Sequence, residues 1–302
     1  MKIVVLVKQV PDSGAERNLR PDDATVDRAS ANNVINEMDE YAIEEALKLR
    51  EAHGGEVTII TMGPERAAES IRKALSMGPD RAVHVVDDAL HGSCALSTSK
   101  VLAAAVRTLE PDLVIAGAEA TDARGQVLPH MLAERLGVAA LTGARKLTVD
   151  GSTATIERQT EEGYEVVTAQ TPAIVSVWDT INEPRYPSFK GIMEAKKKPV
   201  QTLALGDLGI AADAPAIVSV WDTINEPRYP SFKGIMEAKK KPVNTLSLAD
   251  LGLDAGEVGF AGASTEVVSH SKRPARQGGT KVTDEGEGGV KLVEFLASEK
   301  FV

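Results

Sequence analysis

The chain has 302 residues, 43% hydrophobic and 26% charged, a balance typical of soluble globular proteins. Its formal net charge of -10 argues against a nucleic-acid binder, because such proteins neutralise phosphates with clustered lysines and arginines. Cys94 is the only cysteine, which excludes an internal disulfide, a cysteine-based zinc site and a four-thiolate iron-sulfur cluster.

The first 137 residues alternate between strand and helix patterns. Short β-branched runs at 2–7, 56–62, 82–86 and 112–117 predict buried strands. Helical patterns lie between and after them, at about 38–53, 64–78, 94–110 and 125–137. This alternation predicts an α/β fold with a doubly wound parallel sheet. Charged Lys8 follows an apolar run too short for a signal peptide or a membrane span, so we expect a cytoplasmic protein.

The pattern of apolar and polar residues changes after Gly137. Asp150-Gly151 and Glu162-Gly163 stand between alternating runs and predict an antiparallel meander. From about Lys198 onward, proline and glycine interrupt every run. We therefore expect an extended C-terminal arm that needs the surface of a partner.

One segment occurs twice. Residues 172–200 recur without a change at 215–243, an offset of 43 residues, and the copies then drift at pairs such as Gln201/Asn244 and Ile210/Leu253. Two copies are too few for a solenoid, which needs at least three repeats to bury a continuous face. A recent tandem duplication and a sequence-assembly fault both remain open as the origin.

Each copy predicts a strand, then a loop stiffened by two prolines, then a short helix that ends in three lysines. A tyrosine and a phenylalanine on such a loop suit a protein-docking patch, because they offer large contact area at low ordering cost. The alternative is that the phenylalanine packs back onto the core of its own chain.

A second candidate site follows the strand at 112–117. Thr121, Asp122 and the amides of Gly125, Gln126 and Val127 lie at a predicted helix N-terminus, where unpaired N–H groups suit a phosphate. The alternative is that Thr121 and Asp122 only cap the helix. Leu6 to Lys8, Asn36 to Asp39 and Met62 fall at the same strand edge, which favours a nucleotide site. The five histidines show no metal-ligand spacing.

Several long motifs, in order, resemble one family. "VVLVKQVPD", "INEMDEYAIEEALKLRE", "TMGPERAAESIRKALSMGPDRAVHV", "IERQTEEGYEVVTAQTPAIVS", "INEPRYPSFKGIMEAKKK" and "VTDEGEGG" are similar to the beta subunit of electron transfer flavoprotein. The likeness covers the whole chain apart from one surplus copy of the 43-residue unit. It implies a Rossmann-like sheet of the adenine nucleotide alpha hydrolase-like kind, with an alpha subunit as heterodimer partner.

The resemblance implies two cofactors, an AMP buried in this chain and an FAD held with the alpha subunit. Ser13 and Met38 match positions near the flavin. Motif matching places the AMP contacts on these residues: Leu6, Asn36, Glu37, Met38, Asp39, Met62, Thr121, Asp122, Ala123, Arg124, Gly125, Gln126, Val127 and Leu128.

The resemblance also implies that the repeated loop docks onto acyl-CoA dehydrogenases. The corresponding positions are Arg185, Tyr186, Phe189, Ile192 and Met193 in the first copy and Arg228, Tyr229, Phe232, Ile235 and Met236 in the second. The expected organisation is a nucleotide-binding domain over 1–200, duplicated segments at 172–210 and 215–253, and an arm over 254–302 that wraps the alpha subunit. One fold has room for one docking segment, so we expect one copy to dock and the other to be an insertion; the sequence does not choose between them.

The implied function is electron transport rather than enzymatic turnover. Electrons would pass from acyl-CoA dehydrogenases of fatty acid β-oxidation, through the FAD, to a quinone oxidoreductase. Two alternatives stay open: an electron-bifurcating relative with a second FAD and NADH oxidation, and a free-standing ATP-binding stress-type protein. The long C-terminal arm argues against the second alternative.

Overall fold

The computed structural model describes residues 1–14, 18–23, 25–160, 163–210, 266–272 and 288–298. Its strands are β1 (Lys2–Leu6), β2 (Gln9–Pro11), β3 (Asn33–Ile35), β4 (Glu56–Met62), β5 (Arg81–Val85), β6 (Leu113–Gly117), β7 (Ala139–Asp150), β8 (Thr153–Gln159), β9 (Gly163–Gln170), β10 (Ala173–Val177), β11 (Val200–Leu203) and β12 (Glu266–Lys272). Its α-helices are α1 (Glu37–His53), α2 (Ala68–Met77), α3 (Ala95–Arg107), α4 (Leu128–Leu136), α5 (Phe189–Ala195) and α6 (Gly288–Ser298).

Ten strands form one sheet, in the order β11-β5-β4-β1-β6-β10-β7-β8-β9-β12. The strands from β11 to β7 pair in parallel. Strand β6 is buried along its whole length, as expected for a parallel strand covered on both faces. The predicted Rossmann-like α/β fold is confirmed.

Alternate side chains of the central strands enter two separate cores. Ile3 and Val5 of β1 pack in the core beneath α1 and α2, whereas Val4 and Leu6 pack in the core beneath α3 and α4. This period of two follows from strand geometry, and it explains why the sequence of β1 reads as continuously apolar. Because the central strands pair in parallel, their carboxyl ends lie at one edge of the sheet, between the two layers of helices.

The predicted meander is present. Strand β7 pairs in parallel with β10 through its first half and antiparallel with β8 through its second half, and β9 follows β8. The sequence pattern did not predict β12, which pairs antiparallel with β9 and brings part of the C-terminal arm onto the sheet of its own chain. The sequence pattern gave no strand here because EVVSHSK is largely polar and lies between stretches rich in glycine and proline.

The first copy of the repeated segment supplies the sheet strand. Strand β10 lies between β6 and β7, and all five of its residues are buried. The second copy, residues 215–243, lies outside the described residues. None of the helices in the described parts of the chain has the length and apolar character needed to cross a membrane.

Candidate functional site

A cavity of about 360 Å³ opens at the carboxyl edge of the parallel sheet. Leu6 ends β1, Met62 ends β4 and Gly117 ends β6, and all three line the cavity. Ligands of doubly wound sheets bind at this edge, because the connecting loops diverge there to opposite faces of the sheet. The volume lies within the range of about 300–1,000 Å³ that is typical of small-molecule sites.

The structure brings most of the predicted nucleotide contacts together around this cavity. Its lining includes Leu6, Asn36, Asp39, Met62, Ala123, Gly125, Gln126, Val127 and Leu128. The remaining predicted contacts, Glu37, Met38, Thr121, Asp122 and Arg124, lie on the same helix or loop but do not line it. Ser13 does not line the cavity either, and it lies on the exposed turn after β2.

The loop between β6 and α4 presents free backbone donors. The amides of Gly125, Gln126 and Val127 donate no hydrogen bond to any residue that the structure describes. Arg124 and Gln126 adopt left-handed backbone angles, with φ of 50° and 54°. Successive turns of this kind gather N–H groups into concavities that bind anions. This part of the loop suits a phosphate group.

Thr121 and Asp122 do not cap α4. The N-cap of that helix is Val127, which makes no side-chain capping bond. The amide of Thr121 instead donates to Asn36 Oδ1 at 3.0 Å, and Asp122 accepts hydrogen bonds from two cationic side chains. The alternative in which Thr121 and Asp122 cap the helix is therefore wrong, because both residues form hydrogen bonds between the loop and other parts of the chain.

Asn36 joins the loop to the start of α1. Its Nδ2 donates to the carbonyl oxygen of Glu119 at 3.0 Å and to Asp39 Oδ1 at 2.9 Å, and its Oδ1 accepts from Thr121. Because Asn36 is buried, each of these bonds forms away from bulk water, where leaving a polar group unpaired would be costly. Asn36 thus fixes the geometry of the cavity wall.

Asp39 is a buried carboxyl group at the cavity. Lys8 donates its backbone N–H to Asp39 Oδ2 at 2.7 Å. Burial raises the pKa of Asp39 to about 7, against the lowering effect of the hydrogen bonds from Lys8 and Asn36. Near neutral pH this carboxyl group is therefore divided between its protonated and ionised forms.

Asp122 is held by two cations. Its side chain is 1% exposed, Lys8 Nζ lies 2.9 Å from Oδ1, and the Arg28 guanidinium donates to Oδ2. Desolvation raises the pKa of Asp122, but the charges and hydrogen bonds of Lys8 and Arg28 outweigh it, so the pKa lies below its usual value. The charge of Asp122 is thus compensated within the chain, and both Lys8 and Arg28 line the cavity.

Sequence reasoning missed the contributions of Arg28 and Gly117. Arg28 comes from the connection between β2 and β3, which carries no helix or strand pattern that would place it near Asp122. Gly117 allows α1 to approach β6, since a Cβ there would lie 2.6 Å from Met38 Cβ and 2.7 Å from Asp39 Oδ1. The glycine itself was visible at the end of a buried strand, but the sequence alone did not show the close approach.

A second candidate site is the docking segment, residues 182–198, which lies on α1 and α2. Its outward side chains form an exposed apolar patch in which Tyr186 is 94% exposed and Phe189 is 81% exposed, with Ile192 and Met193 beside them. The alternative in which Phe189 packs onto its own core is therefore wrong. Several large apolar side chains exposed within one short segment are typical of an interaction surface.

Arg185 differs from the other predicted docking residues. Its guanidinium is directed inward and pairs with Glu44 and Glu51 of α1, at shortest distances of 2.7 Å and 2.6 Å. These two carboxylates raise the pKa of Arg185 above its usual range. The equivalent residues of the second copy, Arg228, Tyr229, Phe232, Ile235 and Met236, lie outside the described residues.

The donor set of the cavity fits a nucleotide that carries a phosphate. Unpaired amides and the cations Lys8 and Arg28 belong to its lining, and Leu6, Ile60 and Met62 provide apolar surface for a base. Metal binding has no comparable support, because no group of three or more histidine, cysteine, aspartate or glutamate side chains in the described parts of the chain could hold an ion.

Comparison with known proteins identifies the family. The model of the "Electron transfer flavoprotein domain" matches residues 23–208, which include the first copy of the repeated segment and end before the second. The chain is 44% identical over 306 residues to "Electron transfer flavoprotein subunit beta" of Mycobacterium tuberculosis (strain ATCC 25618 / H37Rv), covering 99% of each chain. It is 31% identical over 315 residues to the protein of that name from Megasphaera elsdenii, covering 100% of each chain.

A third relative, from Bacillus subtilis (strain 168), has the same description and is 40% identical over 212 residues, which cover 70% of this chain and 81% of the relative. The fold is a Rossmann-like α/β sheet with a cavity at the carboxyl edge of its parallel strands. The matches are more specific: this chain belongs to the electron transfer flavoprotein family, and its full length is similar to the family's beta subunits.

Proposed function

We propose that this chain is the beta subunit of a cytoplasmic heterodimeric electron carrier and that its cavity binds AMP. The observation that supports AMP binding best is the cavity at the carboxyl edge of the sheet, with the unpaired amides of Gly125, Gln126 and Val127 on one wall. We assign the phosphate to these amides and the adenine to the apolar wall around Leu6 and Met62.

The partner in the heterodimer would be an alpha subunit, as the name of the relatives suggests. Within the described residues, α6 exposes Val290, Leu292 and Val293, an apolar surface that a second subunit would cover. The proposed arm over 254–302 would thus contribute β12 to the chain's own sheet and α6 to the partner.

An FAD held jointly with the alpha subunit would supply the electron transfer when bound. The role of this chain is then to orient its partners. Ser13 and Met38 are the proposed neighbours of the flavin, and the apolar patch of Tyr186, Phe189, Ile192 and Met193 is the proposed contact with acyl-CoA dehydrogenases. The electrons would continue to a quinone oxidoreductase of the respiratory chain, and the chain alone would turn over no substrate.

The test is to co-express this chain with its alpha subunit, purify the complex, release the nucleotides with acid and quantify FAD and AMP per heterodimer. One FAD with one AMP supports the proposal. Two FAD without AMP would replace it with the electron-bifurcating alternative. ATP in a chain that forms no heterodimer would support the free-standing nucleotide-binding protein instead.

A further inference from the structure

We propose that Arg185 is a positioning residue, which holds the docking segment against α1 so that the apolar patch is already ordered before a partner binds. This inference rests on the proposed docking function. It assigns to Arg185 a role inside the protein, in place of the direct partner contact that its position in the motif suggested.

The hydrogen bonds of Arg185 point to this role. Its Nε and Nη2 donate to the two carboxylate oxygens of Glu44 at 2.7 Å and 2.9 Å, and its backbone N–H donates to Glu44 at 3.1 Å. Its Nη1 donates to Glu51 at 2.6 Å. A planar guanidinium that meets one carboxylate with two nitrogens is fixed in both distance and orientation. The Arg185 side chain is only about one-third exposed, and all three of its guanidinium nitrogens are bound within its own chain.

Burial of apolar side chains does little to hold the docking segment in place. Among the residues of α5 only Ala195 is buried, so the hydrophobic effect contributes little to the position of this helix. A helix of seven residues is also too short to be stable by itself in water. The segment therefore depends on polar contacts with the helices beneath it.

Those contacts occur at both ends of the segment. Near its start, Asn182 Nδ2 donates to the carbonyl oxygen of Tyr41 and to Glu45 Oε2, both at 3.0 Å. At its end, Arg72 Nη1 donates to the carbonyl oxygens of Ala195 and Lys198 at 2.8 Å and 3.0 Å. Arg185 is the attachment nearest in sequence to Tyr186 and Phe189. Its loss would release the part of the segment that carries the most exposed apolar side chains.

An ordered patch binds more tightly than a mobile one, because a mobile segment must lose conformational entropy during association. We expect Arg185→Gln to raise the KM for the heterodimer as electron acceptor by about tenfold, with kcat unchanged. Arg185→Lys keeps the charge but loses the two-pronged contact, so we expect an intermediate KM. The donor is medium-chain acyl-CoA dehydrogenase with octanoyl-CoA, and the acceptor is the complete FAD-loaded heterodimer.

The chain provides a matched control in its second copy. Arg228→Gln makes the same chemical change in an identical local sequence. Because the first copy supplies β10 and the segment on α1, we expect Arg228→Gln to leave KM unchanged. Arg185→Gln also leaves buried Glu44 without its cation, so the double variant Glu44→Gln/Arg185→Gln tests the same contact without a buried, unpaired charge.

A spin label reports the mobility of the segment independently of any partner. In a Cys94→Ser background, Lys190→Cys provides the only thiol of this chain, at a position that is 84% exposed. We expect the EPR spectrum of the nitroxide to show broad lines, which indicate slow motion, when Arg185 is present. A component from fast motion should appear in Arg185→Gln and in the double variant. Arg228→Gln should keep the slow spectrum.

The outcomes separate the two proposals. A fast component together with a raised KM and an unchanged kcat supports the positioning role. An unchanged spectrum in both Arg185 variants overturns the role, whatever happens to KM. Phe189→Ala tests docking itself: if it leaves KM unchanged, the docking function fails, and the spectrum still decides whether Arg185 orders the segment.

Discussion

Replacing Gly117 by alanine tests whether α1 and β6 together shape the cavity. The added Cβ would lie 2.6 Å from Met38 Cβ and 2.9 Å from the backbone carbonyl carbon of Met38. Carbon atoms in contact prefer separations of about 3.5–4.0 Å, so the start of α1 must move by roughly 1 Å. Overpacking of this kind costs about 1–3 kcal/mol. The shift would also disturb Asn36 and Asp39, which line the cavity next to Met38.

The assay is the melting temperature of the heterodimer and its AMP content after acid release. A loss of 1–3 kcal/mol corresponds to a fall of roughly 2–10 °C, and we expect AMP to fall to well below one per heterodimer. Gly206→Ala is the matched control, because a Cβ there meets nothing within 4 Å. Full AMP occupancy in Gly117→Ala, with a melting temperature equal to that of the control, would refute the reasoning.

Two further predictions concern charge and chain length. The folded pKa of Asp39 is about 7, above its unfolded value of about 3.9, so the folded state binds the proton more tightly and Asp39 costs stability as pH rises from about 4 to 7. In urea unfolding of the heterodimer, the difference in free energy of unfolding between Asp39→Asn and the unmutated chain should therefore shift by about 2–3 kcal/mol in favour of the variant from pH 5 to pH 8. A difference that is independent of pH would contradict the assignment. Deleting residues 172–214 places the identical second copy directly after β9, and we expect a folded heterodimer with one FAD, as judged by gel filtration and flavin absorbance; loss of the complex would contradict the view that one copy suffices.

The parallel sheet was predictable because its strands are buried on both faces. Strands β1, β4, β5 and β6 read as short apolar runs, and each structural boundary lies within one residue of the predicted one. Strand β12 was not predictable in this way. It is a mostly polar edge strand held by backbone pairing with β9, and backbone hydrogen bonds leave no apolar period in the sequence.

In the candidate site, too, some residues could be predicted from the sequence and others could not. Residues that lie in sequence near the carboxyl end of a strand could be assigned to the cavity, because topology brings those ends together. Arg28 could not, since it reaches Asp122 across 94 residues of sequence through a loop without a pattern. The inward direction of Arg185 was hidden for a similar reason: the carboxylates that hold it belong to a helix 134 to 141 residues earlier in the chain.

The two copies of the repeated segment show a limit of local reasoning. Residues 172–200 and 215–243 have the same propensities and the same side chains, so a strand built from either copy has the same internal energy. What differs is the connection to the rest of the fold. With the first copy in the sheet, two residues join β9 to β10, whereas the second copy would place 43 more residues in that connection.

Each doubling of a flexible loop costs about 0.6 kcal/mol, so lengthening a two-residue connection by 43 residues costs roughly 2–3 kcal/mol. The same 43 residues cost less between β11 and β12, because that connection is already long and the relative increase is smaller. Chain connectivity, and not local sequence, therefore favours the first copy as β10. Deleting residues 172–214 restores the two-residue connection, so the second copy should then form β10 without this cost.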